Sequence, residues 1–579
     1  MFSKLSDKQR EVLGKTGKFV VRACPGSGKT YCVSAKFSKL ISEWTEEYKG
    51  IATISFTNTA WQEIRDNCIK DFDTHISYPH FLGTIDSFIN QYIFLPFGHL
   101  VLGCEKRPIM VGEPYGIWNG GAYERDYNRY FDKVSYKIDG DLCPKNDAQY
   151  FFGGFPNKIN ANGKTVNGHY EKLQKMKKDF NEKGFATQAD ANYFALKILE
   201  QYPKIARSLA LRFPVFIIDE AQDTTEIQMQ IIDIIVKSGL ENIMIVGDPD
   251  QAIFEWNDAK PSLFIEKEQD WKNNSIILDE SWRSSQKICD VVYNFSSLGE
   301  RKIIATNKKV KDCDICPEIW TYEETITGKK STLNSFKNKC KEYGIEFNPK
   351  NVAVLFRSKS FFTQAISNPN RESPWLVGSP FTRDFALGKF LYDRNDFIRG
   401  MKYIERGFLK ATQNISYFSE ENFNMFVEER GFSNLRKELY KFVKLLPKAV
   451  SATRLGAWIA EANLVISSKN YEFELKINQN LKEAQFSQLF PQEHIDSVPT
   501  DYRPSTIHKV KGETFEAVLV FLKKKVMKSY KTMLANSKIS EEEELRNVYV
   551  AISRPSRLLV IAVPDEENKN CWAEKLKIS

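Results

Sequence analysis

Short apolar runs that stop abruptly at glycine, serine or acidic residues punctuate the chain. Lys18-Phe-Val-Val-Arg-Ala23 and Phe213-Pro-Val-Phe-Ile-Ile218 are almost continuously apolar, the pattern of strands buried on both faces. Helical sequence follows each, which predicts doubly wound α/β units. Ile51-Ala-Thr-Ile-Ser-Phe56 and Asn242-Ile-Met-Ile-Val246 are further runs of this kind, and one sheet can hold all four. From Gln91 to about Gly184 the sequence turns aromatic, Gly/Asn-rich and lysine-rich, including Phe151-Phe-Gly-Gly-Phe-Pro156 and Lys172 through Lys178. That change predicts an inserted domain.

A second strand-rich region begins near Ser275 with Ile276-Ile-Leu278 and Val352-Ala-Val-Leu-Phe356, and resumes at Val518-Leu-Val-Phe521 and Leu558-Leu-Val-Ile-Ala562. It predicts a second α/β lobe. Between about Thr382 and Pro499, Phe, Leu and Ile recur at helical spacing amid many charges, as in Glu421-Asn-Phe-Asn-Met-Phe-Val-Glu-Glu429, so a helical insertion is expected. The acidic run Glu541 to Glu544 is expected to open a helix. No internal repeat or low-complexity tract interrupts this alternation.

Composition narrows the class without naming a function. A chain of 579 residues exceeds what one hydrophobic core supports, so about three to five domains are expected. Hydrophobic residues make up 42% and charged residues 27%, ordinary globular usage. No run approaches the roughly 18 apolar residues of a membrane helix. The opening Met1-Phe-Ser-Lys-Leu-Ser-Asp-Lys-Gln-Arg10 lacks the apolar core of a secretory signal. A cytoplasmic protein with no membrane partner is expected. The ten cysteines are scattered, and only Cys313 and Cys316 form a CxxC, read as two ordinary thiols rather than a zinc site. A net charge of +8 leans toward polyanionic partners, but modestly for this length.

The strongest local chemistry is Arg22-Ala-Cys-Pro-Gly-Ser-Gly-Lys-Thr30, between a predicted strand and a predicted helix. This is the context of a phosphate-binding loop, with Ala23 in place of the usual first glycine. The backbone of Ala23, Cys24, Pro25, Gly26, Ser27 and Gly28 is expected to close around phosphate at a helix N-terminus, with N–H donors from every one of these but Pro25. Lys29 then reaches the β- and γ-phosphates of ATP, and Thr30 coordinates Mg²⁺. In Val215-Phe-Ile-Ile-Asp-Glu-Ala-Gln-Asp223 two carboxylates end a strand expected to lie beside the loop strand. Asp219 is assigned to the Mg²⁺ and Glu220 to the attacking water. In Ile245-Val-Gly-Asp-Pro-Asp-Gln-Ala-Ile-Phe-Glu-Trp256, Gln251 is a candidate γ-phosphate sensor. Phe254 and Trp256 suit either stacking on nucleic-acid bases or core packing.

Taken in order, these motifs resemble the UvrD/Rep/PcrA branch of superfamily 1 helicases nearly end to end. Gln9 resembles that family's adenine-reading glutamine. Ser55-Phe-Thr-Asn-Thr-Ala60 and Gly83-Thr-Ile-Asp-Ser-Phe88 resemble its strand-contacting motifs, which implies DNA contacts at Phe56, Thr57, Asn58 and Thr84. Leu278-Asp-Glu-Ser-Trp-Arg-Ser284 is similar to the motif opening the second lobe, with Arg283 on phosphate and Trp282 where an adenine-stacking tyrosine is common. Ser505-Thr-Ile-His-Lys-Val-Lys-Gly-Glu-Thr-Phe515 implies DNA contacts at Thr506 and His508 and, through a displaced acid, a nucleotide-sugar contact at Glu513. Arg546-Asn-Val-Tyr-Val-Ala-Ile-Ser-Arg554 looks like the final helicase motif, which makes Arg554 the expected arginine finger.

The resemblance implies an α/β fold of two RecA-like P-loop NTPase lobes, parallel sheets with flanking helices, each lobe carrying a mainly helical insertion. It divides the chain into lobe 1A at 1–90 and 185–275, insertion 1B at 91–184, lobe 2A at 276–381 and 500–579, and insertion 2B at 382–499. It further implies ATP and Mg²⁺ as cofactors, single-stranded or partly duplex DNA as partner, and 3′ to 5′ movement. Only 25 residues follow Arg554, so a fused nuclease is not expected. The chain also resembles the small helicase component of Gabija-type phage-defence systems, which implies a separate nuclease partner. Three readings stay open: a repair or replication helicase, a defence-system motor beside a nuclease, and a DNA-binding regulator with little unwinding.

Overall fold

A computed structural model describes residue 2 and residues 4–110, 134–144, 169–253, 259–357, 381–412, 431–477, 479–490, 501–524 and 529–578. Phe254 and Trp256, and the Phe151–Pro156 and Glu421–Glu429 stretches, lie outside the described residues. Two compact units emerge, one of residues 1–110, 133–366 and 500–579, the other of residues 111–132 and 367–499.

The first unit contains two parallel sheets. Strands β1 (Lys18–Ala23), β2 (Ile51–Ser55), β3 (Phe81–Thr84), β4 (Val215–Ile218), β5 (Asn242–Gly247) and β6 (Ile276–Leu278) form a six-stranded sheet in the order β6-β1-β5-β4-β2-β3. All of its pairings are parallel. Side chains alternate between its faces. Val20, Ile54, Phe216, Ile218 and Ile245 enter one core with Phe88 and Leu196, whereas Phe19, Val21, Ile217, Met244 and Val246 enter the other with Val33 and Phe37. Burial on both faces accounts for the nearly continuous apolar character of these strands.

The four runs expected to share a sheet do so, but two expectations are corrected. Ile276–Leu278, read as the start of the second lobe, pairs with Val21–Ala23 in the first sheet. Three apolar residues carry no mark of which sheet they join. The strand preceding Asp219 is not beside the loop strand, because β5 pairs with both.

The second sheet holds β7 (Glu318–Thr321), β8 (Val352–Phe356), β9 (Arg503–Thr506), β10 (Phe515–Phe521) and β11 (Pro555–Val563) in the order β7-β11-β10-β8-β9, again all parallel. Its core packs Leu355, Val518, Val520, Leu559 and Ile561 against helices Gln286–Phe295 and Glu543–Ile552, the second opening within the acidic run. An antiparallel pair, Val134–Tyr136 with Leu142–Pro144, belongs to the same unit.

The described residues of the second unit are mainly helical. Helices Thr382–Tyr392, Phe397–Thr412, Phe432–Leu445 and Leu455–Ser468 enclose Phe385, Phe408, Phe442 and Trp458. Among the described residues, no helix is long and apolar enough to cross a membrane.

Candidate active site between the two sheets

The loop after β1 turns into a helix, Lys29–Ser42, whose N-cap is Gly28 in the left-handed region at φ 72°. Gly26 also has positive φ, 78°, and a Cβ there would lie 2.6 Å from both Arg283 Cβ and Ser281 Oγ. Only glycine fits so tight an approach. The loop is tied to its neighbours: Cys24 N donates to Leu278 O at 2.8 Å, Ser281 Oγ to Pro25 O at 3.0 Å, and Trp282 N to Gly26 O at 2.8 Å. Ser27 N donates back to Cys24 O. Trp282, 41% exposed, therefore stands beside the loop with its ring accessible.

Behind the loop lies a cluster of acids. Thr30 Oγ1 donates to Asp219 Oδ2 at 3.3 Å, and Lys29 Nζ lies 3.4 Å from Glu220 Oε1. Although β5 separates the two strands, the loop and the start of its helix reach across. Glu220 is itself at φ 54°, a strained setting for a non-glycine residue of the kind found at functional sites. Burial, reinforced by the neighbouring Glu220, pushes the Asp219 carboxyl up to about 7. Burial would raise Glu220 as well, but Lys29 and Lys511 outweigh it and pull that carboxyl down to about 2. Burial, then Asp250, raises Asp248 to about 6. Lys29 is weakened by burial, yet Glu220, Asp248 and Asp219 more than compensate and hold the ammonium charged.

The second lobe closes this cluster. Arg554, 1% exposed, donates from Nη2 to Gln251 Oε1 at 3.0 Å, while Gln251 Nε2 donates to Asp248 Oδ2 at 2.6 Å. Its Nη1 is buried without a hydrogen-bond partner. Burial, then the nearby Arg283, lowers the Arg554 guanidinium well below its ordinary value. A buried donor left unmatched is costly, so a ligand acceptor is expected there. Arg283 Nε donates to Thr514 Oγ1 at 2.8 Å and Nη1 to Ser553 O at 3.1 Å.

Two residues expected at the nucleotide, Gln9 and Glu513, have protein partners of their own. Gln9 donates from Nε2 to Ser27 O at 2.9 Å and accepts from Ser6 N at 3.1 Å, so its amide caps a helix and braces the loop. Glu513 is paired with Arg503 at 2.7 Å, and it is the adjacent Thr514 that meets Arg283.

Residues expected to meet DNA sit at strand ends. Thr57 and Thr84 each cap a helix, accepting from Ala60 N at 3.2 Å and Ser87 N at 3.1 Å. Asn58 Oδ1 accepts from Trp61 Nε1 at 3.1 Å. Phe56 lines an open cavity of about 1110 Å³ with Asp86, Tyr136, Lys137, Gln188 and Lys260. Thr506 ends β9, and His508 Nε2 lies 3.1 Å from the carbonyl oxygen of Ile253, the residue preceding Phe254 in the chain.

Three functional candidates were not apparent from the sequence. Lys511 reaches from the second lobe to Asp223 and lies 3.7 Å from Glu220. Arg546, fully buried, donates across the lobes to Ala252 O at 2.6 Å. Arg357 joins Glu544 at 3.1 Å and His508 at 3.3 Å. The first two lie inside recognisable motifs, but their partners are 288 and 294 residues away, a separation no local pattern reveals.

A glycine-rich loop ending in Lys-Thr, an acid pair at a nearby strand end, and a buried arginine from a second parallel sheet define a two-lobed P-loop NTPase fold. Residues 5–111 and 120–272 match the family model described as UvrD/REP helicase N-terminal domain. Over those residues the chain is similar to the UvrD/Rep helicases, and it is UvrD/Rep/PcrA-like.

Relatives carry helicase names. The "Probable DNA helicase II homolog" of Mycoplasma capricolum is 22% identical over 62% of this chain and 49% of that protein. The protein of the same name from Mycoplasma genitalium is 21% identical over 98% of this chain and 86% of its own length. The "Exonuclease/helicase subunit RexA" of Lactococcus lactis is 28% identical over 41% of this chain and 21% of that protein. The chain thus spans about half the length of the first of these relatives, and less of the last.

Proposed function

We propose that the chain is an ATP-dependent DNA helicase or translocase that moves on single-stranded DNA, 3′ to 5′ in keeping with its family resemblance. The observation that carries this reading is the continuous set of contacts from Lys29 and Glu220 to Lys511, and from Asp248 through Gln251 to Arg554. Groups from both lobes meet at one loop, so a triphosphate held there is shared between them.

Mg²⁺ fits the donors present. Asp219 Oδ1 is buried without a partner, and the Thr30 hydroxyl stands beside the same carboxylate. One carboxylate and one hydroxyl suffice, since Mg²⁺ takes its remaining ligands from phosphate and water. Held by Asp219 and Thr30, the ion would supply neutralisation of developing phosphate charge.

Lys29 holds the β- and γ-phosphates, Glu220 orients and deprotonates the attacking water, and Arg283 and Arg554 complete the site from the second lobe. Trp282 supplies the surface on which adenine stacks. ATP binding favours lobe closure, and loss of the γ-phosphate releases it. Phe56, Thr57, Asn58 and Thr84 grip DNA from one lobe, and Thr506 and His508 from the other, with Phe254 and Trp256 stacking on bases. Alternation of these grips converts each cycle into a step. The first lobe comprises residues 1–90 and 185–278, the second 279–381 and 500–579, and the insertions 91–184 and 382–499.

The test is ATP hydrolysis with and without poly(dT), for the native chain and Lys29→Ala. DNA-stimulated turnover in the native chain that vanishes in the variant is expected; hydrolysis indifferent to DNA overturns the motor reading. A second reading, a DNA-sensing ATPase that supports a partner nuclease in phage defence, draws support from the exonuclease/helicase name of the Lactococcus relative. It predicts stimulated hydrolysis with little strand separation until the nuclease is added.

A further inference from the structure

Glu220 is gripped from both lobes. Its Oε1 faces Lys29 at 3.4 Å, and its Oε2 accepts from Gln222 Nε2 at 2.6 Å and faces Lys511 at 3.7 Å. Lys511 also pairs with Asp223, whose side chain is 1% exposed, while that of Lys511 is 12% exposed. Lys29 and Gln222 belong to the same lobe as Glu220. Lys511 alone among these partners belongs to the other.

Its place in the chain gives that contact a meaning. Lys511 follows the short turn Ile507–Val510, which directly continues the strand ending at Thr506 and contains His508. Ile507 and Val510 are buried in the same cluster as the second-lobe strand residues Leu355 and Val518, which anchors the turn to that lobe, while His508 between them touches Ile253 O of the first. Any displacement that DNA imposes at Thr506 and His508 is thereby transmitted over three residues to the ammonium at the first-lobe acids. A buried ion pair between two such elements is also a discrete contact, made or broken rather than gradually stretched.

We infer that Lys511 is a positioning residue, a resting-state latch that ties Glu220 and Asp223 to the second lobe until DNA engages the Thr506–His508 turn. The inference rests on the motor reading and concerns how DNA controls the same site. With the latch closed, Glu220 is committed to protein partners on both oxygens and stands off the attacking water. With DNA bound, the turn shifts, Lys511 leaves, and the carboxylate becomes available. The basal, DNA-free rate is therefore the quantity Lys511 governs.

The experiment compares the native chain, Lys511→Ala and Lys511→Arg for ATP turnover with and without poly(dT), for binding of a fluorescent non-hydrolysable ATP analogue, and for thermal unfolding. Lys511→Ala is expected to raise the DNA-free rate about fivefold or more and shrink the stimulation ratio correspondingly, in the range of ordinary coupling between sites. Lys511→Arg, which preserves the ion pair, keeps the native ratio. Asp223→Asn removes the partner instead and is expected to raise the DNA-free rate in the same direction, which separates latch release from any folding defect of one variant. An unchanged or lower DNA-free rate in a folded Lys511→Ala that still binds the analogue overturns the latch. If the native chain shows no DNA stimulation at all, it is the motor reading that falls.

Discussion

Arg554 Nη2 lies 3.0 Å from Gln251 Oε1, so the glutamine that follows one sheet holds the arginine supplied by the other. Gln251 is in turn oriented by Asp248 at 2.6 Å. Removing the acceptor leaves the guanidinium charged but no longer directed. Gln251→Ala is expected to lower DNA-stimulated ATP turnover about tenfold to a hundredfold, the scale of loss when a reacting group slips by about an ångström. Nucleotide affinity, measured by fluorescent-analogue titration, should change little. Loss of affinity with unchanged turnover of bound nucleotide would assign Gln251 to binding instead.

The acids behind the loop give the ligand-free protein a pH signature. The Asp219 carboxyl is raised from an ordinary 3.8 to about 7, chiefly by burial. The folded chain therefore binds a proton there that the unfolded chain has already lost, and this contribution to stability is full below about pH 4 and is lost as pH rises toward about 7. Asp223 and Asp248, each raised to about 6 by burial, act in the same direction. Glu220, lowered to about 2, acts oppositely, but only in strong acid. Thermal unfolding between about pH 5 and about pH 8 should thus show stability falling with pH, and Asp219→Asn should flatten the slope. An equal slope in the variant would mean that Asp219 is ionised throughout.

Trp282 is an exposed aromatic next to the loop, and its backbone N–H is fixed to Gly26 O. Aromatic stacking of adenine is worth about 0.5–1.5 kcal/mol, so Trp282→Ala should raise the KM for ATP about twofold to tenfold with little effect on kcat. Trp282→Tyr should restore most of the affinity. A KM unmoved by Trp282→Ala would leave the base without this platform.

The loop, its lysine and the acid pair were legible because each is a local word: a strand, a turn of fixed composition and a helix start occupy consecutive residues. Gly26 and Gly28 do adopt the left-handed conformations that such a turn demands. Sheet order was not legible. Nothing in Val215–Ile218 says that Asn242–Gly247 will lie between it and the loop strand, and nothing in Ile276–Leu278 says which sheet it completes. The roles of Lys511 and Arg546 were hidden for the same reason, since each is defined by a partner on the far lobe. Gln9 and Glu513 were assigned by resemblance alone, and their partners Ser27 and Arg503 were likewise not legible from local sequence.

A triphosphate shared between lobes requires that Arg554 act on turnover rather than on binding. Single-turnover hydrolysis by Arg554→Ala, with ATP and poly(dT) saturating, tests this most directly. The expected result is a rate lowered about 10³-fold or more, the worth of an arginine finger in phosphoryl transfer, with analogue affinity close to native. A rate within a few-fold of the native chain would contradict it.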